Sequence, residues 1–405
     1  MALLPTERQF IRNHISDDVR SLLLSAHSPE LDIKKVVAQI AARQKAQHKL
    51  PSWFANDALV FPPALSVEQA SSERTAHYKA SLVSGQRLID VTGGMGVDSW
   101  AFAQRVEQVM YIEQQADLAN LAGYNLPLLG ATNVVVRAGN GLDVINELTQ
   151  AADWLYLDPH RRNEQGNKVV QLADCEPDIS KADVLAGLLT KTNRILLKTS
   201  PLIDIDATIR QLTSQSVCGI ERVDVVAIQG EVKEVLFVIG QAPFLANDVV
   251  TTAVNLTALG DIRFQFNKGD ERSADIPFGD PQRYVYEPNA AVLKAGAFRL
   301  VAARFNLTKL SPNSHLYTSD ELRPDFPGRA FELQHVIKPD RKALQALVPG
   351  LKANLTVRNF PQTVAELRKK LTLQEGGNTY ILATTLLNGE KRLLITTKAN
   401  LSERQ

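Results

Sequence analysis

Cysteine is nearly absent from this chain: 405 residues hold two, Cys175 and Cys218. Two thiols cannot build a disulfide framework or a cysteine-rich zinc site, and such sparse use fits a reducing compartment, the cytoplasm. Histidine offers no substitute. His315 and His335 have no clustered ligand partners, so no metal is expected. No apolar run approaches membrane-spanning length, so no membrane association is expected. The N-terminal Met1-Ala-Leu-Leu-Pro-Thr-Glu-Arg8 lacks the charged region and apolar core of a signal peptide. There is no internal repeat and no low-complexity tract. What remains, 44% apolar and 22% charged, is the composition of a globular chain long enough for two to four domains.

Net charge is also nearly absent, +1 overall, but it is unevenly spread. Residues 335–405 carry twelve Lys/Arg against five Asp/Glu, a net +7, which leaves −6 for residues 1–334. A basic terminal module on a mildly acidic body suits an anionic partner such as nucleic acid; a solvated basic face is the alternative.

The most informative stretch is Arg87-Leu-Ile-Asp-Val-Thr-Gly-Gly-Met-Gly-Val-Asp98. A short apolar run, Leu88–Val91, breaks into a loop with Gly93, Gly94 and Gly96, and a helical pattern follows. Strand, glycine loop and helix in this order let backbone approach a ligand and aim helix N-terminal amides at it. The loop lacks the Gly-Lys-Ser/Thr of a nucleotide-hydrolase loop and the full G-x-G-x-x-G spacing of a dinucleotide site. Four further apolar runs end in polar clusters. Val109–Ile112 ends in Glu113, about 20 residues past the loop, where an open α/β sheet places a ribose-binding acid. Asn133–Arg137 leads to Asn140 and Gly141, Asp153–Leu157 to Asp158-Pro-His-Arg-Arg162, and Arg194–Leu197 to Lys198. Ligands bind at that carboxyl edge of a doubly wound sheet.

The order of these motifs resembles that of class I S-adenosylmethionine-dependent methyltransferases over roughly residues 85–240. The tail, with Arg358-Asn-Phe-Pro361, Arg368-Lys-Lys370 and Gly376-Gly-Asn-Thr-Tyr380, resembles the THUMP-like domain attached to one bacterial group of such enzymes. The resemblance implies an α/β fold: a helical N-terminal segment (1–84), a Rossmann-like methyltransferase core (85–240), a strand-rich connector with a small α+β, ferredoxin-like module (241–334) and a basic THUMP-like domain (335–405).

Elements along the chain are consistent with that plan. Ile33, Val36, Val37, Ile40 and Ala41 recur at helical spacing, and Ser71–Leu82 predicts another helix, either roofing the site or only covering the sheet. Val223–Ile228 and Val235–Ile239 predict a hairpin that puts Glu231 and Lys233 near the ligand edge. Val249–Leu256 and Asp261–Phe266 predict strands, Asn267–Asp270 a turn, and Ala290–Ala303 a helix. In the tail, Arg341–Leu347 and Thr363–Leu371 predict helices. Tyr380–Leu387 and Arg392–Thr397 pair around Asn388-Gly389, a strong hairpin signal.

The resemblance also implies roles. The cofactor is S-adenosylmethionine. Asp90 holds its amino-acid portion directly or through water, Gly93, Gly94 and Gly96 pass beneath it, and Glu113 accepts both ribose hydroxyls. The Asn140 amide oxygen takes the adenine amino group, and a backbone amide near Gly141 serves a ring nitrogen. Taken singly, Asp90 or Asn140 could equally be a capping residue and Glu113 a solvated acid; their joint spacing favours the ligand reading. Many amino-methylating relatives carry Asp/Asn-Pro-Pro-Tyr/Phe where this chain has Asp158-Pro159-His160-Arg161. Asp158 and Pro159 are kept, so an acceptor can be oriented there, but the stacking aromatic is absent. His160 is a candidate general base or a structural residue. Arg161 and Arg162 are candidates for phosphate pairing or base stacking. Cys175, in an acidic setting, is expected to be structural. Arg358, Arg368 and Lys369 are candidates for RNA phosphates. The first reading is therefore an RNA methyltransferase acting on tRNA or rRNA. The alternatives are an RNA-binding protein with a vestigial or regulatory donor pocket, and a small-molecule or protein methyltransferase whose tail mediates assembly. Fold alone does not choose among them.

Overall fold

Strands buried on both faces of a sheet need near-continuous apolar runs, and parallel strands need helical crossovers between them. The computed structural model, which describes residues 2–25, 31–161, 171–214, 217–241 and 247–400, realises both. The five runs form β1 (Gly85–Asp90), β2 (Val106–Glu113), β3 (Val134–Ala138), β4 (Ala152–Leu157) and, after the two-residue strands β5 (His160–Arg161) and β6 (Cys175–Glu176), β7 (Thr192–Thr199). β1 pairs in parallel with β2 and β4, β2 with β3, and β4 with β7. The hairpin β8 (Gly219–Ile228) and β9 (Glu231–Gly240) turns at Gln229 and Gly230, both at positive φ.

The chain divides into two compact units, Met1–Glu221 with Leu236–Phe244 and Arg222–Val235 with Leu245–Gln405. In the first unit the strand order is β9-β7-β4-β1-β2-β3. The order reverses at β1, and the crevice beyond its carboxyl end is where a doubly wound sheet takes its ligand. Register fixes what stands there. Asp90 lies opposite Tyr111 on β2 and Tyr156 on β4. Leu157 lies opposite Leu197, so Asp158 and Lys198 follow as neighbours one step on. The crossover helices Val97–Phe102, Ala116–Leu128, Ala182–Leu189 and Ile205–Thr213 carry the apolar side chains that close the core.

Ahead of β1, this unit contains six helices among the described residues. Ile33–Ala46 is capped by Asp32, whose side chain accepts from the Lys35 amide, and buries Val36, Val37 and Ile40. Its buried Arg43 donates to the carbonyls of Phe54, Asn56, Asp57 and Leu59, replacing in one side chain the hydrogen bonds of an irregular turn. The helix expected at 71–82 runs Glu73–Ala80, with Ser72 as its N-cap.

In the second unit β8 pairs in parallel with β10 (Val250–Thr257), which pairs antiparallel with β11 (Gly260–Asn267). The turn expected at Asn267–Asp270 is instead the start of a helix, Lys268–Ser273, and the β10–β11 turn falls earlier, before Gly260 at positive φ. The helix expected over 290–303 is two, Ala290–Ala295 and Leu300–Phe305. Gly296, at φ +80°, ends the first by leaving the right-handed region. A second sheet contains β12 (Tyr284–Pro288), β13 (Thr308–Lys309), β14 (Tyr317–Ser319), β15 (Gly328–Ile337), β16 (Asn354–Arg358), β17 (Thr379–Thr385) and β18 (Lys391–Lys398), in the order β13-β14-β12-β15-β18-β17-β16. The boundary expected between 334 and 335 falls inside β15. That strand pairs with β12 on one side and β18 on the other, so it cannot be divided between two modules. The expected hairpin at Asn388-Gly389 is present, with Gly389 at φ +83°.

Candidate active site

A cavity of about 750 Å³ opens at the carboxyl ends of β1, β2, β4 and β7. The loop after β1 forms its floor. Gly93 N–H donates to the Ile112 carbonyl at 2.8 Å and Gly96 N–H to that of Gly93 at 2.9 Å, while Gly94 and Gly96 take positive φ. A methyl at Gly93 would stand 2.2 Å from the Tyr111 ring, and one at Gly141 2.4 Å from the Val91 side chain. Both positions are closed to any other residue unless neighbouring groups move. Tyr111 O–H donates to the Gly94 carbonyl at 2.6 Å, tying the loop to β2.

Glu113 is buried in the cavity wall. One carboxylate oxygen accepts from Gly94 N–H and the other from Gln115 N–H, each at 2.8 Å. An ionised carboxylate has about four acceptor sites, so each oxygen keeps capacity for a ligand hydroxyl. Asn140 is exposed at the cavity edge, and its amide oxygen caps the helix Gly141–Glu147, accepting from Leu142 N–H at 3.0 Å and Asp143 N–H at 3.3 Å. The oxygen expected to take an adenine amino group is thus already a cap, the outcome expected on local grounds alone.

Asp90 departs from expectation. It is fully buried and absent from the cavity lining. Its carboxylate accepts from Thr92 N–H at 3.1 Å and Ser99 O–H at 2.6 Å, so it shapes the glycine loop from below. Burial pushes its carboxyl up to about 7; the Ser99 hydrogen bond opposes the rise and the charges of Asp98 and Asp158 add to it.

At the other end of the cavity stand Asp158, His160, Glu176, Pro177 and Lys198. Asp158 N–H donates to Thr92 Oγ1 at 2.7 Å, and Lys198 Nζ forms a short ion pair with the Asp158 carboxylate. His160 is exposed at the rim, its backbone laddered to Glu176. Of Arg161 only the backbone, paired with Cys175, is described, and Arg162 lies outside the described residues. No Phe, Tyr or Trp among the described residues lines the cavity. Cys175 and Cys218 are buried, and burial pushes the Cys218 thiol up to about 11.

Sequence reasoning leaves open whether the N-terminal segment roofs the site or covers the sheet. Ser66, Gln69, Ala70 and Ser71 line the cavity. No periodicity marks these polar and small residues, and only Ser72, a legible helix cap, hints at a fixed turn there. Glu231 and Lys233, expected near the ligand edge, are absent from the lining and pair with each other at 2.7 Å.

The basic residues of the tail are partly engaged inside their own unit. Arg358 and Arg329 both hold the buried Glu287 carboxylate, and Arg368 pairs with Glu375 at 2.7 Å. Lys369 and Lys370 are exposed and form no ion pair among the described residues. No helix among the described residues is long and apolar enough to cross a membrane, and no group of His, Cys, Asp or Glu among them could hold a metal ion.

Comparison with known proteins gives this geometry its chemistry. Residues 284–327 match a ferredoxin-like domain model and residues 328–398 a THUMP domain-like model. An uncharacterised S-adenosylmethionine-dependent methyltransferase of Mycobacterium tuberculosis H37Rv is 25% identical over 315 residues, 76% of this chain and 80% of that one. The crystal structure of a protein assigned as a methyltransferase from Porphyromonas gingivalis W83 is 36% identical, covers 98% of both chains and superposes with a TM-score of 0.86. The chain belongs to the family of S-adenosylmethionine-dependent methyltransferases with a C-terminal THUMP-like domain. The site fits the donor. Two glycines stand where a Cβ would collide with the floor, and a wall carboxylate is prepared by two backbone amides. In this methyltransferase Gly93, Gly94 and Gly96 would underlie the donor, and Glu113 would take the ribose hydroxyls. When bound, S-adenosylmethionine supplies an electrophilic sulfonium methyl group. The chain's own task is to hold an acceptor in line with it, and the side chains available beside the strand ends are Asp158, Lys198 and His160.

Proposed function

We propose that this methyltransferase modifies RNA, a tRNA or an rRNA, in the cytoplasm, and that its basic THUMP-like domain engages the substrate. The observation that carries the reading is the charge of the tail, twelve Lys/Arg against five Asp/Glu in residues 335–405, with Lys369 and Lys370 exposed at the end of the helix Val364–Leu371. Lysines so placed attract phosphates, which release counterions when neutralised. In this reading Asp158 orients the acceptor, with the Pro159 carbonyl beside it, and Lys198 fixes the Asp158 carboxylate. His160 takes up or relays a proton at the rim, and Arg161 and Arg162 meet the substrate backbone. A target base would be reached in a single strand or flipped from a helix. Nucleoside mass spectrometry of RNA from cells with and without the gene tests the proposal. The expected result is one methylated nucleoside lost on deletion and regained when the purified enzyme and S-adenosylmethionine are added to the deficient RNA. An unchanged nucleoside profile overturns it.

A further inference from the structure

Lys79 is a lysine with no exposed surface, held between the N-terminal segment and the core. Its ammonium donates to Ser71 Oγ at 2.9 Å and lies 3.1 Å from Asp98 Oδ1. Ser71 O–H in turn donates to Asp98 Oδ2 at 2.8 Å, and Tyr156 O–H to the same oxygen at 2.8 Å. Asp98 is in the first turn of the helix that follows the glycine loop, and both Asp98 and Ser71 line the donor cavity. Lys79 does not. Nearby, Trp53 of the N-terminal segment meets Trp100 of the same helix edge-on, with ring centroids 6.2 Å apart.

We propose that Lys79 is a positioning residue of the donor site: through Ser71 and Asp98 it makes the segment ahead of β1 a fixed wall of the S-adenosylmethionine pocket. A buried charge is tolerated only when paired and hydrogen-bonded, and here the pairing reaches two cavity-lining side chains from one that the ligand never touches. Burial alone would push the Asp98 carboxyl up. Lys79, Lys198 and the hydrogen bonds from Ser71 and Tyr156 outweigh burial and hold it below its ordinary value. The ionised form is the one that accepts both hydroxyls and presents negative charge to a cationic donor. Asp90, on β1, and Asp158, beyond β4, also stand near this cluster.

Loss of the Lys79 charge therefore has a signature that a purely structural lysine lacks. In Lys79→Met, burial dominates at Asp98, its carboxyl titrates higher, and donor affinity falls as pH falls. Calorimetric titration of S-adenosylmethionine into the full-length protein, between about pH 6 and pH 9, reads this directly. Asp90, whose carboxyl is also raised by burial, is present in both proteins, so the quantity compared is the ratio of variant to wild-type affinity. The expected ratio is about tenfold worse at the acid end, the effect of one unit of altered ionisation, and recovers toward unity at the alkaline end. Lys79→Met/Asp98→Asn should lose the slope of that ratio. A ratio of one at every pH, or a uniform loss parallel to wild type, overturns the proposal. If Lys79→Met does not fold, Ser71→Ala decides the matter, since it keeps the ion pair and removes the shared hydroxyl. Weaker donor binding at an unchanged melting temperature supports the wall, and unchanged binding overturns it.

Discussion

Asp158 and Lys198 stand at the ends of neighbouring parallel strands and close an ion pair at one end of the cavity. The pairing follows from register: Leu157 faces Leu197, and the next residue of each strand reaches the edge where the sheet stops. A carboxylate held this way keeps its direction without substrate, as preorganised electrostatics require. Asp158→Asn and Lys198→Met should each lower single-turnover methyl transfer to RNA from gene-deleted cells by about 10²-fold. Donor affinity should stay within a few-fold of wild type. Unchanged turnover in both variants would remove the pair from the mechanism.

Glu113 ties down the glycine loop: the carboxylate expected to meet the ribose already holds Gly94 N–H and Gln115 N–H. Glu113→Ala should weaken S-adenosylmethionine binding by roughly 1.5–3 kcal/mol, the range for hydrogen bonds to a charged group. Glu113→Gln should fall between, since its amide keeps one acceptor oxygen. Calorimetry showing equal affinity for all three proteins would place the ribose elsewhere.

The Tyr111 ring explains why position 93 is glycine. Gly93→Ala would bring a methyl 2.2 Å from the ring, and overpacking of this kind costs about 1–3 kcal/mol. A lower melting temperature and weaker donor binding are expected together. Tyr111→Phe removes only the hydrogen bond to the Gly94 carbonyl and should cost about 1 kcal/mol. In Gly93→Ala/Tyr111→Ala the clash is gone, so its loss of stability should be smaller than the sum of the losses in Gly93→Ala and Tyr111→Ala measured singly. Strict additivity would show that the ring is not the obstacle.

The strand-end chemistry is readable from the sequence because each piece is local. An apolar run, its polar end and the loop that follows lie within a dozen residues, and Asn388-Gly389 announces its hairpin the same way. The cavity wall from Ser66 to Ser71 is not readable, since its partner Asp98, itself held by Tyr156, is distant in the chain and nothing in its composition marks it. Arg358 misleads for the same reason. Beside Arg-Asn-Phe-Pro it looks like a solvated cation, yet its carboxylate, Glu287, lies 71 residues away in sequence. Asp90 does stand at the end of a strand as expected, but it is fully buried and its carboxylate holds Ser99 beneath the loop.

Burial of Asp90 also sets a pH dependence. Its carboxyl rises from an ordinary 3.8 to about 7 in the folded protein, so between those values the native state binds a proton that the unfolded chain has released. Stability from this group is therefore fully present in acid, declines as pH rises from about 4 to about 7, and is constant above. Asp90→Asn mimics the protonated form. It should flatten that part of the profile and, relative to wild type, be more stable at pH 8 than at pH 4. Denaturant titrations across the range check it; parallel profiles for the two proteins would mean that Asp90 is ionised throughout.

The tail's positive charges divide into two classes, and the division makes the RNA proposal sharp. Arg358 serves the buried Glu287 together with Arg329, and Arg368 serves Glu375. Lys369 and Lys370 project from an exposed helix end and meet no acid among the described residues. Phosphates should therefore be met by the lysines. Arg358→Ala should mainly lower the melting temperature, because Glu287 loses one of two partners inside the protein. Lys369→Ala/Lys370→Ala should leave stability and donor binding unchanged, weaken RNA binding, and flatten the dependence of log affinity on log salt by about 0.7 for each single-strand phosphate that is no longer neutralised. Filter binding across a series of salt concentrations separates the cases. If the lysine variant keeps the wild-type affinity and slope, the lysines do not touch RNA. If the intact enzyme shows no salt-dependent retention of RNA, the excess of charge in the tail is only a solvated face.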